Sequence, residues 1–261
     1  MTLATGAPRR LPAPARTALD RALARADAYR VLAAVFRDPD DPAGDPAPDP
    51  STLRAAARAL GVTVEPWAWR AIGRMSGHGA RAAEHRATFG HVVAHGCPAY
   101  ETEFGRRHVF GQSQELGDIR GFYEAFGVRP RPGGERPDHL ACELEFLALL
   151  AIKEATAIAV GDTDRAAICV AAAARFVEDH PGRWVAALAA RIASRARGSG
   201  YAAASALAAT MLAGHARDVG VRPRVLDPDD LVPLEDEPDG FAFECGVDAE
   251  SGDLVPPGTV P

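Results

Sequence analysis

The sequence predicts an all-α protein, a single compact bundle-like domain of about eight to nine helices. Three observations carry this expectation. Aromatic residues make up 7% of the 261 residues and β-branched ones are also sparse, while alanine is abundant, which suits helix better than sheet. Apolar residues recur every three or four positions over most of the chain, the spacing of one helix face. Proline and glycine clusters interrupt that pattern, and connections after the most apolar segment are short, favouring antiparallel neighbours.

Taken in order, residues 1–16, rich in Pro and Arg, read as a flexible leader. A first helix is expected from Thr17, with Leu19, Leu23, Ala26, Tyr29, Leu32 and Phe36 as its apolar stripe. Asp38 to Pro50 alternates proline with aspartate and reads as a loop. Asp49-Pro50 is an N-cap and first-turn pair for a short helix stopped by Gly61. Trp67 and Trp69 open another segment, and 79–94 is helix-compatible until Gly96-Cys97-Pro98. Gln112–Phe126 carries Leu116, Ile119, Phe122 and Phe126 on one face and ends at Gly127. Pro137-Asp138 opens the strongest helix, running to about Val160 and apolar all round at Phe146–Ile152, as a central buried helix should be. Asp162 caps the next, and Trp184–Arg197 and Ala202–Val219 complete the set. The division is thus leader 1–16, helical domain 17–222 and acidic, Pro-rich tail 223–261.

Charge and cysteine usage narrow the class. All 29 Lys and Arg lie at or before Arg224, giving that part a net charge of +5, while Val225–Pro261 holds 11 acids. So small an excess, spread over many helices, does not mark a nucleic-acid surface. Cys97, Cys142, Cys169 and Cys245 form no CxxC pair, which speaks for a reduced, cytoplasmic protein. Arg9-Arg10 is followed by Leu11-Pro12-Ala13-Pro14, not by the apolar run an export signal needs. Leu144–Ile152 is far shorter than the ~20 residues that span a bilayer. A soluble protein that stays in the cytoplasm is expected.

Two constellations carry chemistry. Cys97-Pro98-Ala99-Tyr100-Glu101-Thr102-Glu103-Phe104-Gly105 lies between helices and places two carboxylates beside two aromatic rings. Carboxylates accept paired bonds from a guanidinium and rings cover its faces, so the segment suits gripping a cation. It equally suits a loop that folds back and caps neighbouring helices through Glu101 and Glu103. In Pro137-Asp138-His139-Leu140-Ala141-Cys142-Glu143, Asp138 stands where an N-cap belongs. A cationic His139 is disfavoured at that end of a helix, and Glu143, four residues on, is placed to compensate. Either this is a structural cap, or it is a polar mouth at the rim of the core.

No nucleophile, base or oxyanion hole is assignable: there is no GxSxG, P-loop or dinucleotide fingerprint. No catalytic residue, metal or cofactor is therefore predicted. The runner-up is a helical metal-binding protein or enzyme using His91, His95, Cys97 and Glu101, although Gly96 and Pro98 would end the helix between those ligands. A transcriptional or adaptor module lacks any helix-turn-helix signal.

CPAYETEFG, then QELGDIRGFYEAFGV, then RPDHLACELEFLALLAIKEA, in that order, resemble the TorD/DmsD/NarJ family of redox-enzyme maturation chaperones. The resemblance covers roughly Asp27 to Gly220. It implies an all-helical fold without catalysis. It also implies a partner: the twin-arginine signal peptide or N-terminus of a dimethyl-sulfoxide-reductase-superfamily catalytic subunit, held in the cytoplasm until the molybdenum cofactor is inserted. Carried over by position, Tyr100, Glu101 and Glu103 match the acidic–aromatic loop, with Phe104 beside it. Pro137, Asp138 and His139 match the Pro-Asp-His segment, and Glu143 and Phe146 match the helix after it. Glu101, Glu103 and Asp138 are expected to read the client's basic part, with Tyr100 and His139 fixing its backbone. The family's fold implies a monomer or a helix-swapped dimer. Leader and tail depart from the family pattern.

Overall fold

A computed structural model describes residues 11–41, 49–90, 97–105, 109–129, 131 and 134–231. Among them are nine α-helices and no strand: α1 (Ala13–Phe36), α2 (Pro50–Ala59), α3 (Pro66–Arg74), α4 (His78–Phe89), α5 (Val109–Ala125), α6 (Leu140–Val160), α7 (Thr163–Asp179), α8 (Pro181–Arg195) and α9 (Gly200–Val219). The all-α expectation holds. None of these helices is long and apolar enough to cross a membrane.

Local chemistry sets several helix ends where the sequence places them. Asp49 accepts hydrogen bonds from the N–H groups of Ser51 and Thr52 at the start of α2. Asp162 does the same for Arg165 in α7, and Ser199 for Ala202 in α9. Gly127 and Gly161 end α5 and α6 with positive φ, a conformation that costs a Cβ-bearing residue more.

Two expectations about α1 fail. The helix starts at Ala13, not Thr17, because Pro14 lies within its first turn, where proline has no N–H to forfeit. Leu23 is 47% exposed, while Ala22, Ala26 and Tyr29 are buried. In an alanine-rich helix the apolar stripe has no sharp edge, so its phase is set by packing.

α6 is the central helix. It packs most extensively on α1 and then on α7, while α9 packs on α8 and α3. Phe146, Leu147, Ala148, Leu150 and Ala151 are buried, as a core helix requires, although Ile152 is 45% exposed. One continuous core runs from Leu32 and Phe36 through Leu144 and Leu147 to Trp184, Leu188 and Leu207.

The chain does not leave the body at Arg222. The Leu226 N–H donates to the Arg183 carbonyl at 2.8 Å, and Arg191 donates to the Pro228 carbonyl at 2.8 Å. Gly182 permits this return, since a Cβ there would collide with the Val177 carbonyl and the Pro223 ring. Leu231 then forms an antiparallel bridge with Phe104, which brings this segment to the edge of the loop described next.

Candidate functional site

The two constellations meet. Tyr100 and His139 form an antiparallel bridge. The Glu101 N–H donates to the Asp138 carbonyl at 2.9 Å, and the Leu140 N–H donates to the Ala99 carbonyl at 2.8 Å. His139 is extended, at φ −71° and ψ 136°, so α6 starts one residue later than an Asp138 cap would place it. Two short extended segments thus zip together just before the helix, and a 3-10 turn at Glu101–Glu103 closes the loop.

The cap differs from expectation. The His139 ring, not the Asp138 carboxylate, accepts from the Ala141 N–H, through Nδ1 at 3.2 Å. Burial pushes the His139 pKa down to about 4. The ring is neutral, accepts without a charge penalty at the positive helix end, and needs no compensation from Glu143.

Asp138 is fully buried and serves as a clip. Its carboxylate accepts from the Thr102 N–H and hydroxyl at 3.2 and 2.8 Å. It also accepts from Arg136 Nε and Nη2 at 3.0 and 2.7 Å. Arg136 reaches Glu103 through Nη1 at 3.2 Å. Its guanidinium lies over the Tyr100 ring, 4.6 Å from the centroid. The Tyr100 hydroxyl donates to Glu135 at 2.9 Å. Burial, reinforced by Glu135, raises the Tyr100 pKa, so this hydroxyl stays a donor.

Glu101 points the other way. It is 1% exposed and accepts from His180 Nδ1 at 3.0 Å, where α7 turns into α8. Glu143, also fully buried, accepts from the Trp184 indole N–H at 3.1 Å and faces Glu101 within hydrogen-bonding reach. Burial, and then the neighbouring Glu101 carboxylate, raise the Glu143 pKa well above the ordinary carboxylate range. Among the described residues Glu101 Oε1 and Glu143 Oε1 have no other hydrogen-bond partner, although the Arg183 guanidinium stands 4.0 Å from Glu101 Oε1. A proton carried by Glu143 and shared with Glu101 satisfies both. Phe104 closes this inner layer, its ring 5.3 Å from that of Trp184.

The eight predicted residues therefore share one place but divide between two sides. Tyr100 and Glu103 are partly exposed on the outer side, while Glu101, Phe104, Pro137, Asp138, His139 and Glu143 are buried. His91 and His95 lie outside the described residues. Cys97 is buried, and Glu101 is committed to His180. Among the described residues no group of three or more His, Cys, Asp or Glu is arranged to hold a metal ion.

A groove of about 280 Å³ adjoins the outer side. Its floor is Tyr123, Val128, Pro137, Ala141, Phe146 and Leu149. The ion pairs Arg37–Glu145 and Arg131–Asp41 border it. Cys142 also lines it, and burial pushes its pKa up to about 12, which keeps the thiol protonated and unreactive.

Sequence reasoning missed Thr102, Arg136, His180 and Trp184. Thr102 and Arg136 stood inside the recognised motifs, and their polar character was the available signal. His180 and Trp184 reach the site only through the packing of α8 on α6. No curated protein and no solved structure matches the chain. Residues 49–190, more than half of the chain, match the family described as nitrate reductase delta subunit. That span contains both constellations and the helices that carry them, so the resemblance seen in the motifs is one of descent: the chain belongs to the nitrate reductase delta subunit family, a family of molybdoenzyme maturation chaperones.

Proposed function

We propose that this chain binds, in the cytoplasm, the twin-arginine signal peptide or N-terminal segment of a dimethyl-sulfoxide-reductase-superfamily catalytic subunit. It holds that segment until the molybdenum cofactor is inserted, which delays export of an empty enzyme. The chain performs no catalysis; the chemistry belongs to the client. One observation carries this reading: Tyr100 and Glu103 stand on the outer side of a clipped loop, next to an apolar groove with a charged border. A signal segment offers arginines followed by apolar residues, and that order fits an acidic–aromatic patch beside a groove.

The buried members also position the loop. Asp138, His139 and Pro137 fix the entry to α6, and Glu101, Glu143 and Phe104 anchor the loop from beneath. Apolar residues of the client contribute ~25 cal/mol per Å² buried, less the cost of ordering the segment. The test is calorimetry of the full chain with a synthetic peptide covering the N-terminus of a candidate catalytic subunit. Tyr100→Ala and Glu103→Gln are expected to weaken binding at least tenfold. Affinity unchanged in both variants contradicts the reading.

A further inference from the structure

We propose that Tyr100, Thr102, Glu103 and Asp138 form a guanidinium receptor, that Arg136 is its internal occupant, and that a client arginine binds by displacing it. The proposal rests on the reading of this loop as the client site and deepens it. Each nitrogen of the Arg136 guanidinium is engaged. Nε and Nη2 bond the two oxygens of Asp138, Nη2 also reaches the Thr102 hydroxyl at 2.5 Å, and Nη1 reaches Glu103. The Tyr100 ring covers one face. Paired carboxylate bonds plus a stacked ring select arginine over lysine, whose ammonium offers neither the planar fork nor the flat face.

The occupant is held so that it can leave. The Arg136 side chain is 44% exposed, unlike Asp138 beneath it. Arg136 sits in an irregular segment four residues before α6, and its carbonyl accepts the turn bond from His139. Rotation of the side chain alone vacates the receptor, with the zipped backbone and the Thr102–Asp138 clip left in place. Once it is vacated, one oxygen of Asp138 loses its only donor among the described residues. A buried acceptor in that state favours any guanidinium that can reach it.

An occupant tethered two residues away competes at a high effective concentration. The apparent affinity for an outside arginine falls in proportion to the fraction of time the receptor is open. A lone arginine on a bystander protein therefore gains little. A client that presents arginine and fills the neighbouring groove wins on both counts. Arg136 thus acts as a specificity device as well as a buckle.

The experiment uses the full chain and its Arg136→Ala variant, followed by thermal unfolding with millimolar N-methylguanidinium or methylammonium. The variant is expected to gain several degrees, saturably, with N-methylguanidinium only, and the wild type to gain nothing. In calorimetry, N-acetyl-Arg-Arg-amide is expected to bind the variant at least tenfold more tightly than the wild type. Arg136→Lys, which keeps the charge, is expected to fall between them and covers the case in which the alanine variant does not fold. Absence of rescue together with equal peptide affinity overturns the proposal. Rescue in a protein that binds no catalytic-subunit N-terminus supports the receptor and overturns the functional reading. A client bound equally by wild type and variant, without rescue, overturns the receptor and leaves that reading standing.

Discussion

Thr102 and Asp138 are joined by two hydrogen bonds to one carboxylate oxygen, across 36 residues of sequence. This clip turns two separate motifs into one surface. It also explains why an aspartate stands at a position that does not cap its helix: the carboxylate is spent on the neighbouring loop. Removing it strands two donors of Thr102 and two of Arg136. Asp138→Ala is therefore expected to cost about 2–4 kcal/mol in chemical denaturation, and Asp138→Asn less, since the amide oxygen still accepts. A cost below the scatter of surface substitutions contradicts the clip.

Glu143 gives a second expectation. Its raised pKa means the native state holds a proton that the unfolded chain gives up above the ordinary value of 4.5. Its contribution is full below that value and is lost as pH rises through the native pKa. Glu143→Gln keeps a donor for Glu101 and an acceptor for Trp184 without a titrating proton. Its melting temperature is expected to match or exceed the wild type's at pH 8 and to decline less with rising pH. Glu143→Ala, which leaves Glu101 and Trp184 unpaired, is expected to destabilise at every pH. A glutamine variant as unstable as the alanine one contradicts a protonated Glu143.

Acid sensitivity has the opposite sign. His139 is depressed to about 4 and His215 to about 3, both by burial. Below the unfolded value of 6.5 the unfolded chain binds protons that the native rings refuse. The contribution of these two rings is complete above pH 6.5 and falls as pH drops toward their native values, by of the order of several kcal/mol in all. His139→Asn retains a capping side chain and removes one of these titrations. Its stability curve is expected to flatten between pH 6.5 and 4, and an unaltered slope contradicts the neutral cap.

Much of this was legible in the sequence, and the misses have physical causes. Asp49, Asp162 and Gly127 act at helix ends as read, because capping is decided within a few residues. The stripe of α1 was misphased because alanine tolerates either side of a helix. The loop and the Pro-Asp-His segment stood out as chemistry, but which carboxylate faces solvent depends on partners far along the chain. Glu101 turns inward because His180 waits there, and Arg136 fills the outer patch because a bridge brings Tyr100 beside it. The acidic composition beyond Arg224 also hid the packing of Leu226 and Leu231 on the core.

That packing separates two truncations. Ending the chain after Leu231 removes eight of the 11 tail acids and keeps the Phe104–Leu231 bridge. It is expected to leave the melting temperature within a degree or two. Ending it after Arg222 also removes the bridge, the Leu226–Arg183 bond and the Pro223–Gly182 contact. That truncation is expected to lower it by several degrees. Equal melting temperatures contradict a structural role for 223–231.

On the proposed reading, this chain matures a molybdenum enzyme through the clipped loop. The most direct measurement is the molybdenum content of the candidate catalytic subunit, purified from cells with the chain, without it, and with the Tyr100→Ala, Glu103→Gln double variant. Several-fold lower loading without the chain, matched by the double variant in a protein of unchanged melting temperature, is the predicted result. Full loading in all three would contradict it.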